Sequence, residues 1–249
     1  IVLSSLREPS EYGMAGAFFN CYANPPMSIG ILNEGPLHAA LKATYAANGG
    51  SAEVQVEQFV ADAVRNGTMY EVQTGSFSGL GRKMRSLAEV GPVVLVHPIA
   101  RKKLIIKRSD EGPWGKPRTS PKHGSLVHIV NELVYMPQML NHPNFSVEVV
   151  LTEEQEIRIF DPKKNRRRGG WRVVERQLLD IVDGVRLHQM EDLYGFLDSE
   201  LQEPFGTRQL AAALAQPVAI ARKMAYCLRH AGVTEIAGKQ GNALLYRNV

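Results

Sequence analysis

Residues Phe59 to Leu87 read FVADAVRNGTMYEVQTGSFSGLGRKMRSL. The run opens with a period of two, Phe59, Ala61 and Ala63 on one side and Val60, Asp62 and Val64 on the other, which predicts a strand. Arg65-Asn66-Gly67 is a hairpin-turn signal, because Asn-Gly readily takes the positive φ angles of a tight turn. Met69 to Gln73 predicts the returning strand, and from Gly79 the spacing of Leu80, Met84 and Leu87 predicts a helix. Two neighbouring strands therefore carry Asp62 and Glu71. Gln73, two residues beyond Glu71, is expected on the same face as Glu71, with Asp62 opposite if the hairpin register aligns them.

Two carboxylates converging at one end of a sheet repel each other unless a cation lies between them. Oxygen donors of this kind suit a hard ion, Mg²⁺ (or Mn²⁺), which takes further ligands from water and phosphate and can assist phosphodiester cleavage. The same two acids would also be ordinary on a solvated hairpin, since acidic residues are mostly exposed.

A strand Asp, a short turn, a strand Glu-x-Lys and a following helix make up the core of the PD-(D/E)XK nucleases, and residues 33 to 107 resemble it. The resemblance implies that Asp62 and Glu71 hold the metal and that Glu34, at the start of the preceding helix in Asn33-Glu34-Gly35-Pro36-Leu37, assists them. Gln73 stands where that family most often has lysine, and Ala61 stands where it has proline. A glutamine variant of the motif, or a lysine supplied by the next helix at Lys83, would restore the pattern. The implied roles are water orientation for Gln73 and stabilisation of charge on the phosphate for Lys83. The chain is also similar to an uncharacterised group of bacterial proteins with NE-x-x-LHAALK near the start and KMAYCLR near the end.

The chain has 249 residues, 44% hydrophobic and 22% charged, which suits a globular protein with a substantial core. Its net charge of +4 permits a nucleic-acid partner without requiring one. Cys21 and Cys227 are too far apart in sequence for a cysteine zinc motif, and their low number fits a reducing cytosol. No run reaches the length of a membrane-spanning helix, so a cytoplasmic, nucleoid-associated protein is expected.

Residues 1–26 fit poorly with the rest and are expected to be an unstructured extension, the product of an extended or mis-assigned start, with folding beginning near Met27. Leu37, Ala40, Leu41 and Tyr45 form a helical stripe, and Glu34, His38 and Lys42 follow one another at i, i+4 on a neighbouring face. Val54 to Glu57, Val93 to Val96, Leu104 to Lys107 and Phe145 to Phe160 read as strands. His97-Pro98 is expected to end the second of these, and His97 could either reach the site or cap the strand. Ser125 to Met136 is expected to be a helix, and the basic stretch Ser109 to Gly124, with Trp114, an exposed loop. Residues 27–188 thus predict an α/β domain, for which the resemblance implies a restriction-endonuclease-like mixed sheet flanked by helices.

Lys163-Lys164-Asn165-Arg166-Arg167-Arg168 puts five cations in six residues. Such a cluster repels itself and suits an anionic partner, so Arg166, Arg167 and Arg168 are candidate DNA-phosphate contacts, although a solvated hairpin tip would look the same. A change of composition at Met190 predicts a second domain, residues 189–249. It starts with a short acidic helix, Met190 to Leu201. A helix capped by Thr207, a second helix over Val218 to Ala231 and a hairpin to Val249 then follow, the pattern of a winged helix-turn-helix. From Phe205 onward six cations face one acid. Arg222, Lys223, Tyr226 and Arg229 on the second helix and Lys239 in the wing are the candidate DNA contacts, while protein docking is the other common use of such a module.

Two functions are consistent with these patterns. The first is a metal-dependent endonuclease acting on double-stranded DNA, with no membrane partner; cutting both strands would take two sites, as a homodimer supplies. The second is a catalytically inactive nuclease-fold protein that binds DNA or regulates.

Overall fold

The hairpin forms where Asn66-Gly67 stands, with φ of 51° and 75° at these two residues, as a turn matched to the strand twist requires. The computed structural model describes residues 34–108, 115–163 and 169–249. The N-terminal extension expected over 1–26, Trp114, and the cluster Arg166, Arg167 and Arg168 lie outside them. Helix α1 (Pro36–Ala46) leads into β1 (Ser51–Val56), β2 (Phe59–Arg65) and β3 (Thr68–Val72), then α2 (Gly81–Val90) and β4 (Val93–Arg108). A two-residue strand β5 (Arg118–Thr119), a short helix α3 (Val130–Leu133) and the long strands β6 (Phe145–Phe160) and β7 (Trp171–Leu187) complete the larger layer. Among the described residues the large sheet has seven strands in the order β1-β2-β3-β4-β6-β7, with β5 beside β4. It is mixed: β3 with β4 and β4 with β6 are parallel, while β1 with β2, β2 with β3 and β6 with β7 are antiparallel.

The helix stripes decide which face each helix covers. Leu37, Leu41 and Tyr45 of α1 are buried against Ala63, Tyr70, Val72, Val94, Val96 and Val150. On the opposite face Met84, Leu87 and Ala88 of α2 pack with Met69, Val93, Leu95 and Val147. Burial of each Leu contributes about 1.5 to 3 kcal/mol. The result is a large mixed sheet flanked by helices, an α/β architecture of the expected kind.

Several boundaries differ from expectation. His97-Pro98 does not end a strand: β4 runs on, with Pro98 opposite Val150 of β6. Pairing with β3 stops at Val96 and pairing with β5 begins only at Leu104, so Pro98 lies on an open stretch of the β4 edge, where proline is tolerated. Ser125 to Met136 is broken into a 3-10 turn over Leu126–Ile129 and the single turn of α3, a run with β-branched Val127, Ile129 and Val130 that serves burial rather than helix propensity. The acidic stretch from Met190 is likewise a 3-10 turn over Met190–Phe196.

The C-terminal part comprises β8 (Phe205–Gly206), α4 (Thr207–Ala213), α5 (Val218–His230), β9 (Thr234–Gln240) and β10 (Ala243–Asn248). Its three strands form a second sheet in the order β8-β10-β9. Thr207 is the first residue of α4 rather than its cap; Gly206 takes the cap position, and its N–H donates to Gln209 Oε1 at 2.7 Å. The apolar core of this part is continuous with that of the first. Met224, Ala225, Cys227 and Leu228 of α5 belong to the same buried cluster as Met84, Leu133 and Val147.

Candidate functional site

The ladder between β2 and β3 pairs Arg65 with Thr68, Val64 with Met69 and Ala63 with Tyr70, and goes no further. Extending that register by one residue sets Asp62 opposite Glu71. Here the strands part, and the carboxylate of Asp62 fills the gap: Oδ2 accepts the backbone N–H of Val72 at 2.8 Å. Met69 and Glu71 share a face by alternation, and Met69 packs on the α2 side. Glu71 consequently meets α2, where Lys83 donates from Nζ to Glu71 Oε2 at 2.8 Å and to the carbonyl of Val60 at 3.1 Å. One ammonium thus bridges the two diverging strands.

From the other face of the sheet α1 brings a chain of charges. His38 Nε2 lies 3.3 Å from Asp62 Oδ2, and His38 Nδ1 donates to Glu34 Oε1 at 2.6 Å. Lys42 Nζ donates to Glu34 and to Glu53, each at 2.8 Å. The hydrogen bond to Asp62, helped by Glu34 and opposed by burial, raises the pKa of His38. Burial acts to raise Asp62, but the bonds from His38 and the Val72 N–H outweigh it, so its pKa is lowered. Glu71 goes the other way. Burial, with the charge of Asp62 adding to it, pushes its carboxyl up to about 7 although Lys83 pulls downward. Its second oxygen, Oε1, is buried with no hydrogen-bond partner.

The structure therefore brings Asp62, Glu71 and Lys83 together, and attaches Glu34 to them only through the His38 ring. Gln73 stands apart. β3 ends at Val72, so strand alternation no longer governs residue 73, and its Nε2 donates to the carbonyl of Ser76 at 2.6 Å. The backbone beyond Glu71 is firmly held: His97 Nδ1 donates to the Gln73 carbonyl at 2.7 Å, the Phe77 N–H donates to Glu132 at 2.9 Å, and Arg176 donates to the Thr74 carbonyl at 3.3 Å. Of these residues only His97 draws notice in the sequence. Arg176 and Glu132 come from remote elements with no local signal. Lys42 continues the Glu34–His38 spacing, which was the signal for it.

Among the described residues no three His, Cys, Asp or Glu side chains are grouped so as to hold a metal ion by themselves. Two opposed carboxylates, one with a buried oxygen lacking a partner, do fit a hard cation that draws its other ligands from water and substrate phosphate.

The C-terminal candidates are divided. Arg222, Tyr226 and Lys239 are exposed. The Tyr226 and His230 rings are stacked with centroids 4.1 Å apart. Lys223 donates to Asn131 Oδ1 at 2.7 Å, which ties α5 to α3, and Arg229 is half-buried beside His230.

A large mixed sheet flanked by helices, with an acid pair and a lysine at its opening, is the class of protein that the fold and geometry define. The chain belongs to the family described as a domain of unknown function, DUF8091, whose pattern matches residues 35–188. It is 30% identical over 222 residues, 89% of this chain and 88% of the other, to an uncharacterised protein of Treponema pallidum (strain Nichols). No solved structure matches. Among the described residues no helix is long and apolar enough to cross a membrane.

Proposed function

We propose that this protein is a metal-dependent DNA endonuclease of the PD-(D/E)XK type, with its lysine delivered from α2 and its C-terminal helix pair and hairpin serving as a winged helix-turn-helix for double-stranded DNA. The observation that carries the reading is the Lys83 ammonium 2.8 Å from Glu71 Oε2, at the place where β2 and β3 part beside Asp62. In the PD-(D/E)XK pattern the lysine follows the second acid on the strand. Here the side chain at that place, Gln73, turns into its own loop, and Lys83 reaches the acid instead.

Asp62 and Glu71 would hold Mg²⁺ (or Mn²⁺), which when bound supplies charge neutralisation and a more acidic water. Lys83 would stabilise charge developing on the scissile phosphate, from an ammonium already oriented by Glu71 and the Val60 carbonyl. His38 would position the Asp62 carboxylate, with Glu34 and Lys42 holding the ring. The pinned loop over 73–77 would keep Glu71 in place. On this reading the protein works at the nucleoid in the cytoplasm, and a homodimer would cut both strands.

One observation favours a different reading, a DNA-binding or regulatory protein without cleavage: Asp62 is already engaged by His38 and by the Val72 N–H. The deciding experiment is incubation with single-stranded, duplex and branched DNA in Mg²⁺ or Mn²⁺, beside Asp62→Ala and Glu71→Ala. Cleavage by the wild type that is absent from both variants supports the nuclease. DNA binding without cleavage in either metal selects the regulatory reading.

A further inference from the structure

Helix α2 has a third face. Met84, Leu87 and Ala88 enter the core and Lys83 reaches Glu71, but Arg82, Arg85 and Glu89 are exposed at i, i+3 and i+7. This face forms one wall of an open cleft. A part of about 580 Å³ is lined by Arg85, Glu89, Gln138, His142, Arg229 and His230, among others. It continues into a part of about 670 Å³ that includes Arg82 and Tyr135. The Met136 and Met139 side chains are buried at its floor.

The chemistry of the lining is specific. Arg82, Arg85 and Arg229 face the single carboxylate of Glu89 among the lining residues, and Glu89 lies 3.6 Å from His142 Nε2. Tyr135 is 56% exposed and Tyr226, stacked on His230 at the cleft's far side, is 41% exposed. Guanidinium groups beside exposed aromatic faces are the usual means of holding a nucleic-acid strand, phosphates on the cations and unpaired bases on the rings. Unpaired bases offer exposed faces to such rings, which the paired and stacked bases of a duplex do not. Arg82 precedes Lys83 on α2, the helix that supplies the ammonium beside Glu71.

We infer that the cleft between α2 and α5 is a track for a single DNA strand, with its phosphates on Arg82, Arg85 and Arg229 and an unpaired base on Tyr135. The substrate class rests on the proposed nuclease reading; the binding itself does not. The substrate class that follows is DNA with an unpaired segment beside the cut, such as a flap, fork or frayed end.

The test is fluorescence anisotropy with a labelled oligothymidylate strand and a duplex of equal length, in EDTA so that binding is read without cleavage. Wild type should bind the strand as well as the duplex that the C-terminal part is proposed to hold. Arg82→Ala/Arg85→Ala should weaken strand binding at least tenfold and lower the salt slope by about 0.7 for each phosphate contact removed. Tyr135→Ala should weaken the strand on the order of tenfold and the duplex hardly at all, and Tyr135→Phe should retain the affinity because the stacking face remains. An arginine pair that leaves affinity and slope unchanged in a variant that keeps the wild-type thermal midpoint overturns the inference, as does a wild type that binds no strand. Equal losses for strand and duplex, with Tyr135→Ala neutral, also overturn it, since that describes a general positive surface. Cleavage assays with Asp62→Ala separate the two readings. Strand binding through the cleft without cleavage by the wild type defeats the nuclease alone, and cleavage with an inert cleft defeats the track alone.

Discussion

Lys83 and Glu71 come from different elements, α2 and β3, and meet at 2.8 Å between Nζ and Oε2. On the proposed nuclease reading, this contact puts the lysine of the motif on the helix rather than on the strand. A side chain from a helix that crosses above the strand ends can reach the acid once the residue two places on has left the strand, and β3 ends at Val72.

Lys83→Ala should therefore lower cleavage by on the order of 10²- to 10³-fold, the scale for losing one preorganised electrostatic contact at a reacting centre. Gln73→Ala should stay within about threefold of wild type, because its side chain serves only the turn to Ser76. Single-turnover rates of the two variants check this, and the reverse order of effects would return the role to Gln73.

The Glu71 and His38 pKa shifts make stability fall as pH rises. Glu71 is raised from 4.5 to about 7 by burial. Its folded form holds a proton that the unfolded chain has released, so its contribution is complete below pH 4.5 and is lost as pH climbs through about 7. At about 1.4 kcal/mol per pH unit that is about 3.5 kcal/mol at most. His38, raised above 6.5 by Asp62, acts in the same direction at higher pH. Asp62, Glu34 and Glu156 are lowered, and their contributions are lost as pH falls below the ordinary carboxylate range. The urea midpoint should peak near pH 5 and decline towards pH 8. Glu71→Gln should flatten the decline between pH 5 and 7.5, and an unchanged slope in that variant would show that Glu71 titrates normally.

Arg176 holds more than the loop. Its Nε and Nη2 each lie 3.0 Å from the Glu154 carboxylate, which is fully buried and also takes the Thr152 hydroxyl at 2.9 Å. Removing the guanidinium strands a buried carboxylate, with Lys103 3.9 Å away as its other cation. Arg176→Met should cost about 3 to 5 kcal/mol in equilibrium unfolding. Arg176→Met/Glu154→Gln should recover most of that loss, because the buried charge is gone too. Additive losses in the double variant would mean that the two residues act independently.

The elements around the acid pair were legible because each is governed by neighbours in the chain. The Asn-Gly turn, the period of two on β2 and the stripe of Leu37, Leu41 and Tyr45 are local patterns, and the strand Phe145–Phe160 carries its own alternation. What the sequence obscured was set by tertiary contact. Pro98 lies inside a strand because β6 pairs with it while β3 has ended. The helix expected over Ser125 to Met136 gives way to a 3-10 turn and a single α turn that bury Val127, Ile129 and Leu133. At the site, Asp62 opposite Glu71 follows from the turn, whereas the bond from His38 to Asp62 depends on how α1 lies across the sheet, which no spacing specifies.

The same distinction bears on the C-terminal part, whose change of composition at Met190 suggests an independent unit while its burial does not. Met224, Cys227 and Leu228 are completely buried, and they share one cluster with Met84, Leu87 and Leu133. Asn141 adds a bond from its side chain to the Ala231 carbonyl at 2.9 Å, and Lys223 adds one to Asn131. A segment cut at residue 204 would expose that apolar face of α5, so residues 204–249 alone should fail to fold cooperatively. In the full chain Leu228→Ala should cost about 2 to 5 kcal/mol, the range for a buried leucine whose cavity cannot collapse. Because the cluster is shared, the loss should shift one unfolding transition common to both parts. Calorimetry and tryptophan fluorescence should report the same midpoint, since Trp171 lies on β7 in the large sheet, far in sequence from the substitution. Two separated transitions, with only the earlier one moved by Leu228→Ala, would show that the C-terminal part folds as a domain of its own.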